Sequence, residues 1–206
     1  SWNLTIYDPV GKPFKTFSGT GNPAEKIIWD GLSDEGELVQ AAEDYRTILE
    51  MTDRYGNSST VKDTIPIDVL VIRDGDKLKI RISSITFAPN TADFKNVEDE
   101  KADRNARTLQ RLAEIFKKYS NYRIRIEGHA VMVHYDDPEK GKKEQEQELI
   151  PLSKSRAEAV KSALVDFGMD PKRITTEGLG GAQPIVPFSD LENRWKNRRV
   201  EFILIR

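Results

Sequence analysis

The sequence predicts an α+β chain of two modules: an all-β part over residues 1–66, then a β-α-β-α-β-β part over residues 67–206, entered through a hairpin at 67–83. Three observations carry this. Apolar residues up to about residue 65 recur in short alternating runs cut by turn residues, without a helical period. From Ala102 onward two long stretches change to a helical period, each followed by an alternating run. The chain then closes on a strongly apolar strand, "NRRVEFILI".

Each element follows from its residues. In "NLTIYDPVGK", Leu4 and Ile6 alternate with polar neighbours ahead of an Asp8-Pro9-Val10-Gly11 turn. "YRTILEMTDRYGN" sets Tyr45, Leu49 and Met51 on one face and ends in a turn at Asp53 to Gly56; a small sandwich is the economical way to bury such strands. Trp29, beside Asp30-Gly31, reads as a core anchor. In the hairpin, Val69 and Val71 alternate into an Asp74-Gly75 turn, and Leu78, Ile80 and Ile82 alternate out of it, with the module junction near Pro66. The first helical stripe is Leu109, Leu112, Phe116 and Tyr119, followed by a strand through Ile124 and Ile126. The second is Ala157, Val160, Leu164 and Phe167, opened by Pro151 or Ser153 and closed by Gly168. Between them runs a charged segment, Asp136 to Glu148. It is either a solvated insertion, a docking loop for a basic partner, or an extension of the second helix interrupted at Pro151.

Composition narrows the function. With 32 basic and 34 acidic residues the net charge is −2, which gives no field to collect nucleic acid. The absence of cysteine removes disulfides, thiolate nucleophiles and thiolate metal sites. No apolar window is long enough to span a membrane as a helix, and a start at Ser1-Trp2 reads as a trimmed or processed product. No catalytic constellation is found. Ser59-x-x-Lys62 has no companion motif, and Gly178-Leu179-Gly180-Gly181 reads as a turn. His129 and His134 lie five residues apart on an extended run that turns their rings to opposite faces, so neither a metal nor another cofactor is expected.

The stretches "ITFAPNTADF", "IRIEGHA", "LSKSRAEAV", "GMDPKRITTEGLGGAQPI" and "RWKNRRVEF" occur in the order and phase of the OmpA-like C-terminal domain, which this chain resembles over about residues 78–206. "WDG" with "YRTILEMTDRYGN" is similar to the immunoglobulin-like module of flagellar-hook-capping proteins, a spacer or interaction surface. The first resemblance implies a non-enzymatic protein in the periplasm of a double-membraned bacterium. It also implies a pocket for the diaminopimelate of peptidoglycan, with other envelope proteins as further partners.

That pocket looks altered. Where the resemblance implies Gly-His-Thr-Asp, this chain has Gly128, His129, Ala130 and Val131, so the carboxylate for the ligand's ammonium is missing. Where it implies Asn, the chain has Leu149, and the segment between Val131 and Arg156 is longer than the resemblance implies, as an insertion would make it. The Arg that pairs with the ligand's carboxylate is present as Arg156, in register with Leu152 and Ser153, and Ser153 stands beside it as a candidate ligand group. A hydrogen bond to a charged group contributes about 1.5–3 kcal/mol, so two lost anchors weaken binding by roughly two to four decades. Two readings follow: an interaction protein that no longer binds peptidoglycan in the family manner, or a binder that uses Arg156 with a substitute acid, Asp136 or Asp137. In the first, Val131, Met132 or Leu149 fills the space beside Arg156, and Arg156 pairs within the protein, with Glu127 or Glu201. In the second an acidic cleft lies open there.

Overall fold

A computed structural model describes residues 1–40, 42–67, 71–74, 77–82 and 85–205. The chain forms two compact units, residues 1–70 and 71–206.

In the first unit β1 (Trp2–Tyr7), β2 (Pro13–Gly19), β3 (Glu43–Thr52) and β4 (Ser58–Ile67) make one antiparallel sheet in the order β2-β1-β3-β4. Both expected turns are tied by an aspartate. Asp8 Oδ1 accepts from the Val10 and Lys12 amides at 3.0 and 2.7 Å, and Asp53 Oδ1 from the Tyr55 and Asn57 amides at 2.7 and 2.9 Å. Ile6, Val39 and Tyr45 form the core, flanked by Phe14, Phe17, Trp29, Ile65 and Ile67. Trp29 is held there by donating from Nε1 to the Leu32 carbonyl at 2.8 Å and by lying 5.9 Å from the Tyr45 ring. The unit is all-β. Among the described residues it has a single four-stranded sheet, and the loop carrying Trp29 and Val39 supplies the cover that a sandwich would take from a second sheet. Pro66 lies within β4, an edge strand, where a missing N–H costs least.

In the second unit β5 (Val71–Asp74), β6 (Lys77–Ile82), β7 (Arg123–His129), β8 (Ile174–Gly180) and β9 (Val200–Ile205) form a mixed sheet, ordered β5-β6-β9-β7-β8. Of the hairpin residues named from the sequence, Val69 and Gly75 lie outside the described residues. Helix α1 (Asp99–Lys118) buries Leu109, Leu112 and Phe116 as the period predicts. Tyr119 departs from that stripe: it is the C-cap, 40 % exposed, because the helix has ended beneath it. Helix α3 (Ile150–Asp166) buries Ala157, Val160 and Leu164 and packs on β7, β8 and α1. Phe167, at its C-cap, is half-buried.

Helix α3 opens at Ile150 with Pro151 in its first turn. Helix α2 (Pro138–Glu144) precedes it and is joined to it by a π-turn at Gln145–Leu149, in which the Ile150 amide donates five residues back to the Gln145 carbonyl. The extra residue has a local cause. In a regular helix the Pro151 ring would strike the carbonyl four residues earlier, and widening the preceding turn lets the helix continue through it.

The sheet directions place the functional region. β9 runs antiparallel to both β6 and β7, and β8 runs parallel to β7. The carboxyl ends of β6, β7 and β8 and the start of β9 therefore share one edge. Gly128 and Gly178 bring α3 close to that edge: a Cβ at Gly128 would strike the Ser153 carbonyl, and one at Gly178 the Ile150 carbonyl.

Candidate functional site

At that edge lies an open cavity of about 1080 Å³, lined from four directions: Phe87 and Asn90 after β6, His129, Ala130, Val131 and Val133 after β7, Glu144, Glu148, Leu149, Leu152 and Arg156 from the helix, and Arg194, Trp195, Arg198 and Arg199 before β9.

Arg156 is its central charge. The residue is 8 % exposed. Its Nε donates to the Thr91 carbonyl at 2.9 Å, and its guanidinium lies over the Phe87 ring, 5.0 Å from the centroid. Burial, and then the charge of Arg198, hold the guanidinium below its ordinary value. The expected internal partners are occupied elsewhere. Glu127 is paired with Arg125 at 2.6 Å, and Glu201 with Arg199 at 2.8 Å and Lys79 at 3.6 Å.

Of the other residues singled out from the sequence, Ala130 is buried and donates its amide to the Gly180 carbonyl at 2.7 Å, extending the β7–β8 ladder. Val131 and Leu149 form part of the wall and leave the cavity open, and Met132 is not among its lining residues. Ser153 is fully buried. Its hydroxyl donates to the Ile150 carbonyl and accepts from the Gly180 amide at 2.9 Å, which ties α3 to β8, and Ser153 is not among the residues lining the cavity. Neither Asp136 nor Asp137 lines the cavity. Asp137 caps α2, accepting from the Lys140 amide at 3.0 Å and pairing with the Lys140 ammonium at 3.0 Å. Those hydrogen bonds hold its carboxyl below its ordinary value.

The acids that do line the cavity are Glu144 and Glu148, one turn apart in the inserted segment. Glu144 is buried and accepts from the Val133 amide at 2.9 Å and the His134 amide at 2.8 Å, fixing the loop after β7. Glu148 is exposed. Gln145 docks the insertion on the end of β8, donating to the Leu179 carbonyl at 2.9 Å and accepting from the Gly181 amide at 2.7 Å. Sequence reasoning passed over these three because a run of Glu, Gln and Lys looks like a solvated face. The only available signal was its continuity with a helix that already carried Arg156.

Glu127, His129 and Glu201 come together, all buried, with ligand atoms within 4.8 Å of one another, and of the three His129 also lines the cavity. His134 is not in this group; it contributes to the cavity wall. The two carboxylates are already matched by Arg125, Arg199 and Lys79, which makes the cluster an internal charge network.

Comparison with known proteins agrees with this architecture. The OmpA family matches residues 86–198. A probable lipoprotein, YiaD, of Escherichia coli (strain K12) is 34 % identical over 137 residues, 66 % of this chain and 55 % of that protein. A peptidoglycan-associated lipoprotein of Rhizobium meliloti (strain 1021) is 35 % identical over 104 residues, 50 % of this chain and 53 % of that protein. The chain thus spans about half the length of these two relatives. Among solved structures, a putative MotB-like protein from Desulfovibrio vulgaris superposes with a TM-score of 0.51 at 28 % identity, over 67 % of this chain and 81 % of that one. The periplasmic domain of Helicobacter pylori MotB shares the fold, with a TM-score of 0.52 at 21 % identity over 66 % of this chain and 87 % of that one. These relatives are lipoproteins and motility proteins of the bacterial envelope, not enzymes, and no described helix here is long and apolar enough to cross a membrane. The chain belongs to the OmpA family.

Proposed function

We propose that this protein is an envelope anchor whose second unit holds a cell-wall peptide in the cavity beside Arg156, while the first unit, read as an immunoglobulin-like module, serves as a spacer or as a surface for other envelope proteins. The observation that carries the reading is Arg156: a buried cation, braced by Thr91 and Phe87, facing an open cavity with no carboxylate bound to it among the described residues. A cation kept in that state is costly unless an anion joins it. The relationship to a peptidoglycan-associated lipoprotein supports peptidoglycan as the source of that anion.

The pocket in this reading is remodelled. Val131 and Leu149 give apolar wall where the family resemblance implies polar anchors. The acid that meets a ligand's ammonium is Glu148, supplied by the inserted helix, in place of Asp136 or Asp137.

Co-sedimentation with insoluble peptidoglycan sacculi tests this. Wild type is expected to pellet, Arg156→Ala to lose binding by ~10- to 100-fold, and Glu148→Gln to weaken it less. Wild type left in the supernatant, beside a family member that pellets, overturns the anchor reading and leaves protein partners as the protein's targets.

A further inference from the structure

Three consecutive residues, Asn197-Arg198-Arg199, lie where the chain turns into β9, and the structure sends them to three different tasks. Asn197 is fully buried. Its Oδ1 accepts from the Ile185 and Val186 amides at 2.8 and 3.1 Å, and its Nδ2 donates to the Val186 carbonyl at 2.9 Å. This fixes the short turn Arg194–Asn197 against the preceding loop. Arg199 points into the protein, to Glu201 at 2.8 Å and to the Gln183 carbonyl at 3.1 Å. Arg198 is the exposed member and lines the cavity with Arg156.

Both side chains line the one cavity, and the charge of Arg198 adds to burial in lowering the pKa of Arg156. Neither has a carboxylate partner among the described residues, and no described group bonds to the terminal nitrogens of Arg156. The nearby acids are otherwise engaged or placed: Glu127 and Glu201 are ion-paired, Glu144 is turned to the amides of Val133 and His134, and Glu148 lies on the inserted helix. Arg194 lines the same side of the cavity and adds to the positive charge. Two guanidiniums lining one cavity repel each other, and one carboxylate neutralises only one of them.

We propose that Arg156 and Arg198 form a two-guanidinium anion site, so that the ligand taken here presents two carboxylates close together. The proposal rests on the cavity being the cell-wall site. It narrows the ligand to a peptide segment with two free carboxylates, and it makes Asn197 the residue that positions the second cation.

The full chain is titrated calorimetrically with glutarate and with its monoamide, in wild type, Arg198→Gln and Arg198→Lys, with circular dichroism confirming that each variant is folded. Wild type is expected to bind glutarate ~10-fold more tightly than the monoamide. Arg198→Gln is expected to lose that preference and bind both probes equally, and Arg198→Lys to recover part of it. Absence of saturable glutarate binding, equal affinity for both probes, or a preference that survives in Arg198→Gln overturns the proposal. Sacculi that pellet with wild type but without any dicarboxylate preference leave the anchor reading standing and remove only this site. Loss of preference in Arg198→Gln with no pelleting does the reverse.

Discussion

Asn105 and Asn197 are the least expected residues of the second unit. Each is buried, and each pins a loop that builds the cavity. Asn105, on the apolar face of α1, accepts from the Thr86 amide at 2.9 Å and donates to the Thr86 and Phe94 carbonyls at 2.8 and 3.0 Å, which sets the loop carrying Phe87 beneath Arg156. Asn197 does the same for the turn carrying Arg198. Replacing Asn197 by Ala strands three main-chain groups and is expected to cost about 2–4 kcal/mol of stability, read from the urea midpoint at unchanged slope. Gly128→Ala acts by a different route. Its methyl meets the Ser153 carbonyl, α3 must lift, and a loss of about 1–3 kcal/mol is expected by the same measurement. A midpoint unchanged by Gly128→Ala would show that α3 does not press on β7 there.

At the scale of elements, the inserted α2 and π-turn matter most. α2 is short for an isolated helix, so its place depends on contacts from its ends. Glu144 holds the 133–134 loop and Gln145 holds the end of β8. Glu144→Ala is expected to raise amide exchange at Val133 and His134 and to weaken sacculus binding together, while leaving exchange in the first unit unchanged. Asp137 gives the insertion a pH dependence. Its folded carboxyl lies below the ordinary value of 3.8, chiefly through the Lys140 amide, so the ionised form is favoured in the folded helix. That contribution is present above pH 3.8 and is lost as the pH falls through the depressed folded value. Protection of the Lys140 amide, taken relative to its intrinsic exchange at each pH, is expected to fall with acid over that window in wild type. In Asp137→Asn the step should be absent.

For the whole molecule, the division into residues 1–70 and 71–206 gives each unit a core of its own: Ile6, Val39 and Tyr45 in one, and the α1, α3 and sheet residues around Phe116 and Phe202 in the other. A fragment of residues 67–206 is expected to keep its α+β circular dichroism spectrum and its full affinity for sacculi. A fragment that fails to fold would show that the second unit depends on the first. The cavity needs only the second unit, since all its lining residues lie between Ile85 and Arg199.

The sequence by itself determined the two long helices and most of the strands, the change from an all-β to a mixed unit and the turns at Asp8 and Asp53, and it singled out Arg156. These are local matters, settled by the spacing of apolar residues and by short-range turn chemistry. It left open which acids reach the cavity. Asp136 and Asp137 stood nearest to Val131 along the chain, yet Asp137 is consumed in capping α2, and Glu144 and Glu148 line the cavity. It also set Ser153 beside Arg156 as a ligand group, although its hydroxyl is spent on joining α3 to β8. Only the tertiary structure decided these, because a polar side chain's role depends on which donors and acceptors are brought beside it. Here strand direction, the two close glycines and a one-residue π-turn bring together segments more than a hundred residues apart.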